Sequence, residues 1–245
     1  MDDFSTLRIE HLAKSYGRKK VVKDISFSMR SGQIIGLLGP NGAGKTTTFY
    51  MIVGFLKPNG GRIYLDGEDV STLPMYQRSR RGLSYLPQEP SIFRKLSVED
   101  NVRLVVETRR DLNAKQKTEL VEQLLKDFGI DQLRKQKGYT LSGGERRRTE
   151  IARALGCSPR FLLLDEPFAG IDPKAVYEIK HIIRTLAAKG IGILLTDHNV
   201  RDTLAITTCA HIINEGTILV SGGKQELLAD TVAREIYFGE GFEEE

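Results

Sequence analysis

The stretch Gly39-Pro40-Asn41-Gly42-Ala43-Gly44-Lys45-Thr46 decides the fold of this chain. It matches the pattern GxxxxGK[ST], and it lies between a short apolar run typical of a buried strand and a predicted helix. Glycines let the backbone wrap closely around a phosphate group, while amides at a helix N-terminus supply donors and positive potential. The pattern therefore predicts a nucleotide site in which Lys45 reaches the β- and γ-phosphates and Thr46 binds Mg²⁺, with Thr47 beside them.

A pair of carboxylates forms the second candidate site. Asp165 and Glu166 follow the apolar run Phe161-Leu162-Leu163-Leu164, which predicts a buried strand. Ligands of open α/β sheets bind at the carboxyl ends of strands, so Asp165 is expected to hold Mg²⁺. Glu166 is predicted to be the general base that polarises the attacking water. Taken alone the pair also fits an acidic turn, but the phosphate loop favours phosphoryl transfer.

The alternation of predicted strands and helices favours an α/β fold. A length of 245 residues suits a single domain. We predict a nucleotide-binding core of P-loop NTPase (RecA-like) type over 1–88 and 158–220, with a mostly parallel sheet and an antiparallel β subdomain. The stretch 89–157 is predicted to be an inserted helical subdomain, and 221–245 a short helical tail.

Composition narrows the classes of protein. With 40% hydrophobic residues, 28% charged residues and a net charge of +4, the chain is neither disordered nor basic enough to suggest a nucleic-acid partner. Cys157 and Cys209 make no disulfide framework and favour a reducing compartment. The acidic start, residues 1–4, is unlike a signal peptide, and no apolar run approaches the roughly 18 residues that span a bilayer. We therefore expect any membrane role to act through a partner.

The segment Leu141-Ser142-Gly143-Gly144-Glu145 carries a third motif. Its Ser-x-x-Glu spacing predicts a capping box at the start of a helix, and a helix N-terminus with two glycines also suits an anion. Here the sequence resembles the family of ABC ATPases, whose signature motif is LSGGQ. The order of phosphate loop, Gln88, signature, Asp165-Glu166 and His198 matches that family along nearly the whole chain.

The resemblance implies a role for each matching residue. Tyr16 would stack on the adenine ring of ATP, although an ordinary aromatic at a strand end is an equal alternative. Gln88 would sense Mg²⁺ and the γ-phosphate, His198 would contact the γ-phosphate, and Lys45 and Glu166 complete the catalytic set. The remaining histidines are predicted to be structural: His11, His181 and His211.

Two positions depart from the motifs of the family. Glu145 replaces the usual glutamine of the signature, but the backbone amides that would contact phosphate remain. The run Ala169-Gly170-Ile171-Asp172 replaces the commoner Ser-Ala-Leu-Asp, and it contains the aspartate that the resemblance implies to cross a dimer interface.

The resemblance also implies a dimer. In ABC ATPases the signature faces away from its own phosphate loop and completes the ATP site of a second subunit. This chain carries one loop and one signature, so Ser142, Gly143 and Gly144 are expected to bind ATP held by another copy. A C2 homodimer follows, joined by ATP and released by hydrolysis.

A membrane partner is implied by the segment after Gln88. It contains Ile92, Phe93 and Leu96 flanked by charges, and in ABC ATPases the corresponding region forms a groove for a permease helix. Two permease subunits are expected to dock near Phe93, although a core residue of the helical insert is the alternative. The basic run 146–148 is predicted to be a solvated face of its helix.

Within the family, the chain is most similar to the ATPases of lipopolysaccharide export. The similar stretches are 85–89, 91–98, 145–148, 197–201 and 237–240. This similarity implies a peripheral subunit at the cytoplasmic face of the bacterial inner membrane that powers movement of lipopolysaccharide towards the outer membrane. The nearest alternative is an ATPase of branched-chain amino-acid importers.

Two different classes are also weighed. A soluble ABC ATPase outside transport usually has coiled coils or a second ATPase unit, and the sequence shows neither sustained heptads nor a second phosphate loop. A nucleotide-binding regulator without hydrolysis would not need Glu166 and His198.

Overall fold

The computed structural model describes residues 4–238, and in this range ten strands form one sheet. The strands are β1 (Thr6–Tyr16), β2 (Lys19–Arg30), β3 (Ile34–Leu38), β4 (Gly60–Leu65), β5 (Glu68–Asp69), β6 (Leu83–Leu86), β7 (Phe161–Asp165), β8 (Gly192–Thr196), β9 (Cys209–Asn214) and β10 (Thr217–Gly222). Their spatial order is β5-β4-β1-β2-β10-β9-β3-β8-β7-β6.

One half of the sheet is parallel and deeply buried. Strands β9, β3, β8, β7 and β6 pair in parallel, and every residue of β3, β7 and β8 is buried. These strands are almost wholly apolar because both of their faces are covered, as is usual in parallel sheets. Strands β1, β2, β4 and β5 pair antiparallel, as do β9 and β10. The predicted α/β class, with a parallel core and an antiparallel β part, is confirmed.

Helices lie in the connections between strands and after the last strand. They are α1 (Lys45–Val53), α2 (Met75–Arg80), α3 (Val98–Val106), α4 (Ala114–Asp127), α5 (Gly143–Leu155), α6 (Pro173–Ala188), α7 (Val200–Leu204), α8 (Lys224–Ala229) and α9 (Thr231–Ala233). Capping boxes begin α4 at Asn113 and α5 at Ser142, and the second confirms the cap predicted from the Ser-x-x-Glu spacing. Helices α3, α4 and α5 all fall within 89–157; the domain boundaries themselves stay a prediction.

Arg78 explains why the short helix α2, which the sequence does not predict, forms where it does. Its side chain is 1% exposed, and its guanidinium donates to the carbonyls of Leu73, Ser71, Met51 and Ile52. The last two carbonyls belong to the end of α1, where a cation is favourable. Burial lowers the pKa of Arg78 to about 10, so it stays charged at neutral pH.

The tail is described as far as Phe238. It contains α8, α9 and a π-helical turn, Arg234–Phe238. The rest of the predicted tail, including Gly239 and Glu240 of the stretch similar to lipopolysaccharide-export ATPases, lies outside the described residues, as do residues 1–3. Within 4–238, no helix is both long enough and apolar enough to cross a membrane.

The histidine on β9 is buried against an aromatic ring and a hydroxyl. His211 is 8% exposed, packs beside the Phe27 ring, and its Nδ1 lies 2.7 Å from the Ser221 hydroxyl. Its predicted structural role is consistent with this position. Burial lowers its pKa to about 4, against 6.5 for an ordinary histidine.

We expect the free energy of unfolding to fall as the pH drops from about 6.5 to about 4, because in that range the unfolded chain binds a proton that the folded ring does not. The loss attributable to this residue is at most about 3 kcal/mol. Urea unfolding across this pH range checks it, with His211→Gln expected to show a weaker pH dependence. The exposed His11→Gln serves as the control; identical pH dependence in all three proteins would contradict the assignment.

Candidate active site

The phosphate loop connects the end of β3 to the start of α1, and two of its glycines are sterically required. A Cβ at Gly39 (φ +150°) would lie 2.1 Å from the carbonyl oxygen of Ile213. At Gly44 (φ +108°) it would lie 2.9 Å from the carbonyl oxygen of Val21. The loop backbone therefore packs directly against strands β9 and β2, which only glycine permits.

The turn between β9 and β10 holds the same loop against β2. The Gly216 N–H donates to the Ala43 carbonyl at 3.0 Å, and the Gly216 carbonyl accepts from the amides of Lys23 and Asp24 at 2.8 and 3.2 Å. Gly216 (φ +79°) has no room for a side chain, since a Cβ would lie 2.6 Å from the Val21 carbonyl oxygen. The sequence does not predict this contact between the turn and the loop.

Lys45 is folded back onto the loop that carries it. Its ammonium donates to the carbonyls of Gly39 and Pro40 at 2.7 and 3.0 Å. Burial lowers the pKa of Lys45, and the carboxylates of Glu166 and Asp165 oppose that shift. Of the other residues predicted to bind phosphate in this loop, Gly39, Ala43 and Gly44 are buried, Pro40 and Thr47 are half-buried, and Asn41, Gly42 and Thr46 are exposed.

Asp165 ends β7 with one carboxylate oxygen engaged and the other free. It is 2% exposed, and its Oδ2 accepts from the Tyr85 hydroxyl at 3.2 Å. Its Oδ1 is buried and has no hydrogen-bond partner among residues 4–238. Burial raises the pKa of Asp165; the Tyr85 contact opposes that shift and the neighbouring Glu166 adds to it. A buried, unpartnered oxygen is costly unless a donor or a cation meets it.

The residues predicted to hold Mg²⁺ fit that ion. Asp165, Thr46 and Gln88 all offer oxygen, the ligand atom that Mg²⁺ prefers. In the described part of the chain, no group of three or more His, Cys, Asp or Glu residues could hold a metal alone. Mg²⁺ commonly needs no such group, because it takes one or two carboxylates together with water and the phosphate oxygens of a nucleotide.

Two predicted catalytic side chains contact the carboxylate of a third, Glu166. Gln88 Nε2 donates to Glu166 Oε2 at 2.6 Å, and His198 Nε2 lies 2.7 Å from Oε1. Glu166 has a left-handed backbone (φ +47°), and its N–H donates to the Thr196 carbonyl at 2.8 Å. Such a conformation is uncommon outside glycine and concentrates at functional sites.

The prediction of a solvated face over 146–148 is wrong at Arg147. Its side chain is 6% exposed, and its guanidinium donates to the backbone carbonyls of Pro87, Asp165 and Glu166 at 3.0, 3.2 and 3.4 Å. It also pairs with the buried Glu150 at 3.4 Å. A long cationic side chain can be buried here because carbonyls and a carboxylate surround it. Arg147 thus connects α5, the helix that begins at the signature motif, to the segment that carries Gln88 and to the segment that carries Glu166.

Glu150 and Arg153 fix the segment that is predicted to meet a permease. Glu150 Oε1 accepts the amides of Ser91 and Ile92 at 2.6 and 3.0 Å. Arg153 donates to the Ser91 carbonyl at 2.7 Å, and its guanidinium lies 5.4 Å from the centre of the Phe93 ring. Phe93 nevertheless stays 49% exposed, so the alternative of an ordinary core residue does not describe it.

Asp197 is a site residue that the sequence analysis does not identify. It directly follows β8 and is 4% exposed. Its Oδ2 accepts the Phe168 amide at 3.0 Å and its Oδ1 accepts the Asn199 amide at 2.9 Å. It therefore joins the segment after Glu166 to the segment that carries His198. The available signal was the same as for Asp165, a carboxylate at the end of a buried apolar strand.

Within the range that the structure describes, two groups of residues predicted to contact ATP, residues 142–144 and Tyr16, are not bonded to the phosphate loop or to Glu166. Among residues 4–238, no hydrogen bond or ion pair joins residues 142–144 to the phosphate loop; Ser142 closes a capping box with Glu145 instead. Tyr16 is 50% exposed at the end of β1, with the Lys14 ammonium 5.5 Å from its ring centre.

Comparisons with known proteins point to one family. A family model described as ABC transporter matches residues 22–169. The lipopolysaccharide export system ATP-binding protein LptB of Acidithiobacillus ferridurans is 54% identical over 97% of this chain and 98% of its own length. The protein of the same name from Escherichia coli K12 is 52% identical over 97% of this chain and 99% of its own.

Solved structures share the fold. The ADP conformation of MJ1267, an ATP-binding cassette of an ABC transporter, matches with a TM-score of 0.85 and 29% identity, covering 96% of this chain and 99% of that one. A dimeric, post-hydrolysis state of the ATP-binding cassette MJ0796, bound to ADP and Pi, matches in fold with a TM-score of 0.78 and 21% identity, covering 89% and 98%.

Arg147→Ala is expected to lower the free energy of unfolding by about 3 kcal/mol, because it leaves the buried Glu150 without its cation. The half-buried neighbour Arg146→Ala is the matched control, with an expected change within about 0.5 kcal/mol. Urea unfolding of both variants measures the difference. Equal losses in the two variants would mean that the buried contacts of Arg147 contribute nothing specific.

Proposed function

The chain belongs to the ABC transporter family of ATP-binding proteins, and we propose that the transporter it serves exports lipopolysaccharide. The chain is an ATP-hydrolysing transporter subunit. The observation that carries the choice of cargo is the 54% and 52% identity to two LptB proteins over 97% of the chain. In this proposal, hydrolysis powers movement of lipopolysaccharide from the inner membrane towards the outer membrane.

We propose that the triphosphate of ATP lies in the phosphate loop, with Mg²⁺ beside it. The loop amides and Lys45 would bind the phosphates once the ammonium leaves the carbonyls that it now contacts. Thr46, Gln88 and Asp165 would hold Mg²⁺, which neutralises charge on the transferring phosphoryl group when bound. The free Oδ1 of Asp165 and the exposed position of Thr46 support this arrangement. Tyr16 is open to stack on adenine.

Glu166 is the proposed general base. Its two oxygens are held by Gln88 and His198, so the carboxylate is oriented before any water arrives. Breaking one of these contacts frees an oxygen, which can then accept a proton from the attacking water. Gln88 and His198 are thereby released to contact the metal and the γ-phosphate, as the family resemblance implies.

We propose that two copies form the working unit. Each copy would complete the ATP site of the other with Ser142, Gly143 and Gly144 at the start of α5, where Ser142 is exposed. The Asp172 carboxylate caps α6 by accepting the Ala175 amide at 3.0 Å through Oδ1, which leaves Oδ2 for a contact across the interface.

The surface around Phe93 is the proposed docking site for two permease subunits. Phe93 and Tyr139 are 49% and 60% exposed, and a cavity of about 240 Å³ beside them is lined partly by Ile92, Arg94 and Arg146. An apolar centre with a charged rim is typical of such interfaces. The protein would then lie at the cytoplasmic face of the inner membrane, touching the bilayer only through its permease and binding no nucleic acid.

Glu166→Gln should reduce ATP hydrolysis about a hundredfold or more, because an amide cannot take the proton from water. It should also trap a dimer in ATP and Mg²⁺, because binding remains while release fails. Phosphate release and size-exclusion chromatography with light scattering measure the two effects. The exposed Glu119→Gln on α4 is the control and should behave as wild type; unchanged hydrolysis in Glu166→Gln would remove this residue from the base role.

The cargo is tested by purifying the tagged chain from gently solubilised membranes and then depleting it from cells. Recovery of two permease subunits, together with loss of newly made lipopolysaccharide from the outer membrane, is expected. Recovery of amino-acid permeases alone, with lipopolysaccharide delivered normally, would replace the proposal with a branched-chain amino-acid importer.

A further inference from the structure

An aromatic hydroxyl that the proposed mechanism leaves unused lies against the carboxylate of the magnesium site. Tyr85 is on β6, three residues before Gln88, and its hydroxyl donates to Asp165 Oδ2 at 3.2 Å. Strand β6 pairs in parallel with β7, the strand that ends at Asp165. The contact therefore joins the strand leading to Gln88 with the strand leading to Glu166.

This hydroxyl makes the two oxygens of Asp165 different from each other. A carboxylate rotates easily about its last torsion, so without a fixed donor its oxygens are interchangeable. Oδ2 accepts from Tyr85, whereas Oδ1 is buried and has no partner in the described range. The Tyr85 hydroxyl therefore leaves Oδ1 as the oxygen of Asp165 that can accept another ligand.

Neighbouring rings hold the phenol in place. The Tyr85 ring makes edge-on contacts with Tyr50 and Phe55, at centroid distances of 6.3 and 5.7 Å. Tyr50 lies on α1, the helix that begins at Lys45. A phenol carries its proton at neutral pH, so Tyr85 acts as a donor to the carboxylate.

We propose that Tyr85 is a positioning residue for magnesium: its hydroxyl orients Asp165 so that Oδ1 faces the ion that accompanies ATP. This inference rests on the proposed function, because it assumes that the loop binds a magnesium nucleotide. It deepens that function by linking the metal-holding carboxylate to the strand that carries Gln88 and, through Tyr50, to the helix of the phosphate loop.

The test uses the full chain and Tyr85→Phe, which removes one oxygen atom. Binding of a fluorescent ADP is titrated with Mg²⁺, and ATP hydrolysis is measured over the same Mg²⁺ range. The variant should need about threefold to tenfold more Mg²⁺ for half-maximal effect, the range expected for the loss of one hydrogen bond of ordinary strength, since the contact is 3.2 Å long. ADP binding in EDTA should match wild type. Tyr64→Phe, on β4 and away from the site, is the control.

A double variant separates positioning from a general structural effect. In an Asp165→Asn background, Tyr85→Phe should add little to the Mg²⁺ requirement, because the oriented carboxylate is already gone. A wild-type Mg²⁺ requirement in Tyr85→Phe, or equal weakening of ADP binding with and without Mg²⁺, would overturn the proposal. Absence of ATP hydrolysis in the wild type would instead count against the proposed function, while Mg²⁺-dependent ADP binding would still decide the role of Tyr85.

Discussion

The site depends on the close approach of one loop backbone to two strands. At Gly39 and Gly44 the chain runs so near β9 and β2 that even a methyl group would collide with a carbonyl oxygen. That contact fixes where α1 begins and therefore where Lys45 lies. Strands β3, β7 and β8 end at the same edge of the sheet, which brings Asp165 and Glu166 near enough to Lys45 to affect its pKa. The steric restriction at the two glycines and the parallel order of the strands together bring Lys45, Asp165 and Glu166 close to one another.

The parts of the fold that could be predicted are those encoded by short patterns. The phosphate loop, the buried strand before Asp165 and the capping box at Ser142 each occupy a few consecutive residues, and each one is found as expected. Helix α2 could not be predicted, because it depends on Arg78 reaching carbonyls that lie far away in sequence. The contacts of Tyr85 with Asp165 and of Asp197 with Phe168 could not be predicted for the same reason, because each joins residues far apart in sequence.

Arg147 is an intermediate case. It lies four residues before Ile151, so helical periodicity places it on the apolar face of α5. The prediction was wrong because a run of three arginines is typical of a solvated face. Its buried pair with Glu150 costs desolvation of two charges, and such pairs contribute more to geometry than to net stability. The geometry here is the position of the signature helix relative to Pro87, Asp165 and Glu166. Arg147, which the sequence pattern assigns to a solvated face, therefore fixes buried segments relative to one another.

The turn at Gly216 has a practical consequence for anyone engineering this chain. Tips of hairpins are common choices for grafting a reporter domain or a peptide epitope, because most of them face solvent and tolerate extra length. This one is bonded on both sides, to Ala43 and to the Lys23 and Asp24 amides, and it has no room for a side chain. An insertion between Asn214 and Thr217 would break these hydrogen bonds and displace the phosphate loop from β2. Surface labels belong elsewhere, for example on the exposed side of α4.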